Sequence, residues 1–434
     1  MKEPLNSEMI KKAKRRNLWA FMAGNLLSGF GDSCINIAYM PFLYEVTNNN
    51  LFLTGLLTTL AAVLWFLPTP ILGRISDKNN RKQMMIFSKP IAFVGVFLLL
   101  FVNQNNLYLL IISIILRSVG FMSSNLNYNI LVSESNGESK EGLGHIFSKM
   151  AFLYFASTIG GAVFVNLTGF EYNIYFMIFL VICIINWIKN IIFVTDTKSV
   201  QNEKIVKKSS NSKSWREVIK SPKIKTAMIF LTFDIFFWEI SNSVLTAGLI
   251  SAYGFTLEEL AFFNIWFNVS MIIFQIPAGK LTDKFGKKKI LIISELGGIF
   301  IFTLHIISSI IWTSGYKLFL FPSMILIQIL SGIVVASFIP SESIILTDLD
   351  KDRKGESYGM VSFVRGFGAM FPGAIGGFLM GTVHFITPFI VTTIGIVLLI
   401  IYLLKFGHRF EEIDEIGLNN KKTNNSKKNN SKKK

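Results

Sequence analysis

Apolar residues in this chain come in long blocks nearly free of charge, and no other feature limits the fold as much. Twelve blocks are legible: 18–43, 52–72, 84–103, 107–129, 145–167, 173–195, 225–250, 258–278, 289–312, 317–340, 357–380 and 384–405. Each is long enough to cross a hydrocarbon layer about 30 Å thick. Lipid supplies no water for backbone N–H and C=O groups, so spanning segments of this kind are helices. The expectation is an all-α membrane protein with twelve transmembrane helices. Trp19, Trp187, Trp312 and Tyr316 fall near block ends, where interfacial aromatics belong.

Charge decides the partner class. The formal net charge of +16 invites a nucleic-acid reading, but Lys and Arg are confined to alternate connections. They crowd the N-terminus (Lys11, Lys12, Lys14, Arg15, Arg16), then 73–89, 196–225, 279–289 and the tail. The intervening connections 45–51, 103–107, 168–173, 252–259 and 313–317 hold almost none. This is the positive-inside pattern, with both termini cytoplasmic and the lipid bilayer as partner rather than nucleic acid. The expected location is a prokaryotic plasma membrane. The first block has no small-residue cleavage site, so it reads as a retained span. Cys34 and Cys183 lie inside spans at no metal or redox spacing. His145, Glu295, His305 and His384 read as isolated, so no metal and no cofactor is assigned.

The hydrophilic segment Asp196–Lys225 divides six spans from six. The expected organisation is a cytoplasmic N-terminus (1–17), a six-helix bundle (18–195), a linker (196–224), a second six-helix bundle (225–405) and a basic tail (406–434). The tail ends in Asn, Lys and Ser, and cannot bury a core. The halves repeat each other. Gly73-Arg74-Ile75-Ser76-Asp77-Lys78-Asn79-Asn80-Arg81-Lys82 follows span two. Gly279-Lys280-Leu281-Thr282-Asp283-Lys284-Phe285-Gly286-Lys287-Lys288 follows span eight. Spans five and eleven share Thr158-Ile159-Gly160-Gly161 and Ala374-Ile375-Gly376-Gly377.

A small residue at Gly73 and Gly279 admits a neighbouring helix. Asp77 and Asp283 are placed just before a new helix, where a carboxylate complements the N-terminal dipole. Asn80 and Gly286 suit a left-handed turn. The repeated loop resembles the signature loop of the major facilitator superfamily, over residues 17–405. That resemblance implies two pseudo-symmetric six-helix bundles working as a secondary transporter and not as an enzyme. It also implies a conformational latch at Gly73, Asp77, Arg81, Gly279 and Asp283; a static topological anchor is the alternative.

Ionisable residues in mid-span are costly unless paired or hydrated. Asp32 shares one face of span one with Asn25, Ser28, Asn36 and Tyr39, at offsets of three or four residues. Glu239 lies at matching depth in span seven, beside Trp238 and Asn242. Two acids on opposite walls of one cavity are therefore expected. Asp234 lies elsewhere around that helix, facing either a helix contact or the vestibule. Arg117 sits midway along span four, and Arg117-Ser118-Val119-Gly120 resembles the intramembrane arginine motif of proton-coupled antiporters. Asp32 is its expected partner, with a buried structural ion pair as the alternative. Lys149, Lys189 and Arg365 are expected to snorkel.

The closest resemblance is to the drug/proton antiporter branch of the superfamily. It implies proton-coupled export of amphipathic, even cationic, small molecules by a monomer. Aromatic residues on spans one and seven provide an apolar or cation-binding lining. Span five lacks the Gly-Pro of that branch, which leaves import of a small metabolite open, as is a non-transporting receptor.

Overall fold

The computed structural model describes residues 7–135, 143–196, 222–315, 317–347 and 354–410. The linker core and the tail beyond 410 lie outside them, so the readings made there are not addressed. Twelve long helical elements follow in chain order. The first half holds α1 (Ser7–Val46), α2 (Leu51–Phe66 continued by Thr69–Lys78), α3 (Arg81–Leu99), α4 (Leu107–Ser135), α5 (Leu143–Thr168) and α6 (Tyr172–Phe193). The second holds α7 (Pro222–Asn242 continued by Leu245–Tyr253), α8 (Leu257–Phe285), α9 (Lys287–Thr313), α10 (Leu320–Thr347), α11 (Lys354–Ala369 continued by Pro372–Phe378 and a π-turn at Leu379–Val383) and α12 (Thr387–Phe406). Among the described residues eleven helices are long and apolar enough to cross a membrane. The exception, α1, is the longest at 40 residues; Asn25, Ser28, Asp32 and Asn36 dilute its apolar character.

Boundaries differ from the sequence reading in ways that have local causes. Helix α1 begins at Ser7, so most of the expected N-terminal segment extends the first span. Asn17 ties this extension to the end of α6: its side-chain amide donates to the Thr195 carbonyl at 2.7 Å, and Thr195 N–H donates back at 2.8 Å. Three spans expected as single rods are broken. In α2 the break falls at Leu67–Pro68, where proline cannot donate to the preceding turn. In α7 it follows Asn242, at Ser243 and Val244. In α11 it falls at Met370–Phe371, before Pro372.

The repeated loop also folds differently in detail. Asp77 and Asp283 lie in the last turns of α2 and α8 rather than at the start of a new helix. The N-cap of α3 is Asn80, extended at φ −70°, whose side chain accepts from Gln83 N–H at 3.0 Å. Only Gly286 takes the expected positive φ, +85°.

Two seams join the halves. Along one, α5 packs against α8: Ala261 is fully buried with Ala162 and Val165, and the Asn166 amide donates to the Glu258 carbonyl at 2.9 Å. Along the other, α2 packs against α11 through a stripe of glycines. A Cβ at Gly359 would lie 2.7 Å from Thr69 O, at Gly366 2.2 Å from Phe66 Cβ, and at Gly377 2.5 Å from Leu51 O. Gly55 and Gly373 oppose each other across the same seam. Within each half one glycine of the repeated pair admits a neighbouring helix, though not the equivalent one. Gly161 lets α5 close on Phe30 O of α1, and Gly376 lets α11 close on Ile240 O of α7.

Candidate functional site

A cavity of about 420 Å³ opens inside the first half, bounded by α1, α3, α4 and α6 with Trp65 of α2 and Tyr154 of α5. It brings together Asp32, Asn36 and Arg117 from the sequence-derived set. Asn36 and Asn125 are exposed on its wall, so it is open rather than sealed. A smaller space of about 280 Å³ adjoins it and shares Trp65, Arg117 and Phe121; Tyr39 borders that one. Neither space is walled by Asp234, Glu239 or Asn242. Asp32 and Glu239, expected on opposite walls of one cavity, therefore do not share either of these two spaces.

The expected Asp32–Arg117 pair does not form either. Asp32 is in side-chain hydrogen-bonding contact with Tyr154, and the cation acting on it is Lys89 of α3. The Arg117 guanidinium instead lies over the Tyr39 ring, 4.5 Å from its centroid. Its Nε and one terminal nitrogen are buried without a hydrogen-bond partner. The reason is lateral: Arg117 is closed in by Gly95 of α3, where a Cβ would lie 2.8 Å from its Cγ. Lys189 does not snorkel; its ammonium donates to the Ala20 carbonyl and sits against Gly24 on the cavity wall. Nearby, Tyr128 donates to Asn25 Oδ1 at 3.0 Å, and Asn186 donates to Ser28 Oγ at 2.8 Å.

The second half buries acids instead. Asp234 faces a helix contact, not the vestibule: it is in side-chain hydrogen-bonding contact with Glu295 of α9. Both are buried, at 4% and 0% exposure. Trp238 donates to Glu295 Oε2 at 3.2 Å, while Oε1 has no partner. Glu295 is thus not isolated. Two carboxyl groups in such contact repel each other when both are ionised. Arg365 acts on both Asp234 and Glu239, and it pairs with Glu342 of α10 rather than snorkelling. Asn242 is exposed at the end of the first α7 segment. His305 is buried and stacks on Phe389 at 4.7 Å between centroids, a packing role. Among the described residues no group of three or more His, Cys, Asp or Glu could hold a metal ion.

Of the loop residues, Gly73 and Gly279 are buried and Asp283 is exposed. The Asp77 side chain lies outside the described residues. Arg81 forms an ion pair with Glu134 at the end of α4, with side-chain exposures of 6% and 21%. Glu134 and Glu342 escaped the sequence reading. The signal was present: Ser133-Glu134-Ser135 closes α4, and Ser341-Glu342-Ser343 lies near the end of α10.

Comparison with known proteins agrees with this architecture. The family model described as Major Facilitator Superfamily matches residues 21–238 and 227–428. The chain is 23% identical over 408 residues to the multidrug resistance protein MdtG of Proteus mirabilis (strain HI4320), covering 89% of this chain and 95% of that one. Solved structures with the same fold include a point mutant of the nucleoside transporter NupG, at TM-score 0.67 and 16% identity. A bacterial homologue of the iron transporter ferroportin, in an outward-facing state, gives 0.66 and 16%. The human organic anion transporter MFSD10 gives 0.67 and 13%. Each match covers 90% of this chain and 99% of the other.

Proposed function

We infer the function from one premise: this chain belongs to the Major Facilitator Superfamily. Membership makes it a non-enzymatic membrane transporter of small molecules. The finer reading is export of amphipathic compounds, driven by protons moving the other way, with both termini cytoplasmic. Two six-helix units rock about the glycine-lined α2/α11 seam and the α5/α8 seam, so that the binding site opens to each side in turn.

The observation carrying this reading is the open cavity in mid-membrane with Asp32 and Arg117 on its wall. Ionisable groups at that depth are expensive and mark solute or proton pathways. The resemblance to a multidrug resistance protein supports export over import. Asp32, with Tyr154 and Lys89 about it, is one proton-carrying site; the Asp234–Glu295 pair with Glu239 and Arg365 is the corresponding group in the other half. Arg81–Glu134 and Arg365–Glu342 are the latches: each ties neighbouring helices of one half.

The test is flux in proteoliposomes with an imposed proton gradient and a panel of amphipathic compounds. Asp32→Asn, Glu239→Gln and Arg117→Ala are compared with the wild type. Gradient-dependent flux that each substitution abolishes supports the reading. Flux that ignores the gradient, or three variants transporting like the wild type, refutes it.

A further inference from the structure

The cavity in the first half is lined by more basic than acidic side chains: Arg117, Lys89 and Lys189 all reach its wall, whereas Asp32 is the one carboxylate on it among the described residues. Asp32 already has the Tyr154 hydroxyl as a partner. Two Arg117 nitrogens are buried without an acceptor among the described residues, and an unpaired buried donor costs free energy. The remainder of the wall mixes amides and hydroxyls with aromatic rings, among them Phe93, Phe121 and Phe179. Tyr39, which borders the adjoining space, is already covered by Arg117 at 4.5 Å. The lining therefore disfavours the cationic solute that the family resemblance implies.

We propose that this cavity binds an amphipathic organic anion: its oxyanion is taken by Arg117, with Lys89 and Lys189 adding basic groups farther along the wall, and its apolar body by Phe93, Phe121 and Phe179. A guanidinium fork matches a carboxylate, sulfonate or phosphonate, because planar donors meet paired acceptors. The exposed Asn36 and Asn125 on the wall mark where such a molecule enters. This names the substrate class for the transporter reading above and rests on it.

The test uses purified full-length protein in detergent with no gradient. The probes are naphthalene-2-carboxylate and pyrene-1-butyrate, each beside its neutral amide and its cationic amine. Binding is followed by calorimetry. The carboxylates bind at least ~10-fold more tightly than their amides and amines, the low end for a charge-assisted hydrogen bond. Lys89→Met and Lys189→Met each weaken carboxylate binding several-fold, and Arg117→Gln abolishes the preference. Methionine keeps the length of the lysine stem, and thermal melts of each variant establish that the fold is retained before binding is compared. Amines or amides binding as tightly as the acids overturns the proposal. So does binding indifferent to both lysine substitutions, or no binding of either carboxylate. Flux in proteoliposomes separates the two readings. Charge-selective binding without gradient-driven flux of any compound refutes the transporter reading alone. Gradient-driven flux without preference for anions refutes only this one.

Discussion

Replacing Gly55 with alanine adds one methyl group to the outer segment of α2. Its Cβ would lie 2.2 Å from the Gly373 carbonyl oxygen and 2.9 Å from the Gly373 carbonyl carbon. Ordinary contact begins at 3.4 Å, so the methyl is more than an ångström too close. Both sides of the contact are main chain, and no rotamer can relieve it. The helices must separate by about 1 Å, and that loosens the neighbouring contacts at Gly366 and Gly377 as well. Overpacking of this kind costs about 1–3 kcal/mol. At about 2 °C per kcal/mol, the melting temperature of the purified protein should fall by about 2–6 °C. Gly381→Ala is the control on the same seam, since its Cβ meets nothing nearer than Leu51 Cβ at 3.6 Å. If the halves rock about this seam, Gly55→Ala also slows flux in proteoliposomes. A Gly55→Ala protein that melts with Gly381→Ala and the wild type would mean that α2 and α11 do not meet backbone to backbone here.

Within the first half, Gly161→Ala should destabilise by a similar amount, its Cβ falling 2.5 Å from Phe30 O, whereas Gly160→Ala, 3.5 Å from the Phe30 ring, should be tolerated; paired thermal melts decide. Arg81→Ala should cost about 3 kcal/mol, because it strands the Glu134 carboxylate at the inner end of α4. A double-mutant cycle with Glu134→Gln checks this, with a double variant less destabilised than the sum of the singles. Glu295→Gln retains an amide donor for Asp234 and keeps the fold, but removes one of the pair's two titratable groups. The pH profile of gradient-driven flux should flatten while the melting temperature holds; an unchanged profile places proton transfer elsewhere. Thr256→Ala removes a capping box at the start of α8, where the Thr256 hydroxyl accepts from Glu259 N–H at 3.3 Å and Glu259 accepts from Thr256 N–H at 2.9 Å. The loss should be about 1 kcal/mol by thermal melting.

What could be read in the sequence divides along a physical line. Burial in lipid acts on whole segments, so twelve helical spans, two halves and the repeated loop were all visible as patterns of composition and spacing. The glycine pairs were visible too, but not which member of each pair makes the contact: the second glycine, Gly161, closes on α1, whereas the first, Gly376, closes on α7. Breaks in α2, α7 and α11 were less legible, because proline and polar pairs only bias a helix and neighbouring helices decide whether it bends. Side-chain pairing was the least legible.

Helical spacing says which residues share a face of one helix, and nothing about which helix that face meets. Asp32 and Arg117 lie on polar faces of α1 and α4 as expected. Yet Tyr154 of α5 and Lys89 of α3 reach Asp32, and Tyr39 takes Arg117. Glu295 looked solitary in α9 because its partner Asp234 is 61 residues away in α7. The charge balance of the site follows from those cross-helix meetings. Lys89, Lys189 and Arg117 gather in the first half, and Asp234, Glu239, Glu295 and Glu342 in the second. A transporter built this way keeps its excess cation and its excess acid in separate bundles. On the proposed function, events in one bundle reach the other chiefly across α2 against α11 and α5 against α8, the two largest seams between the halves. The cost of parting those backbones is what the Gly55 substitution measures.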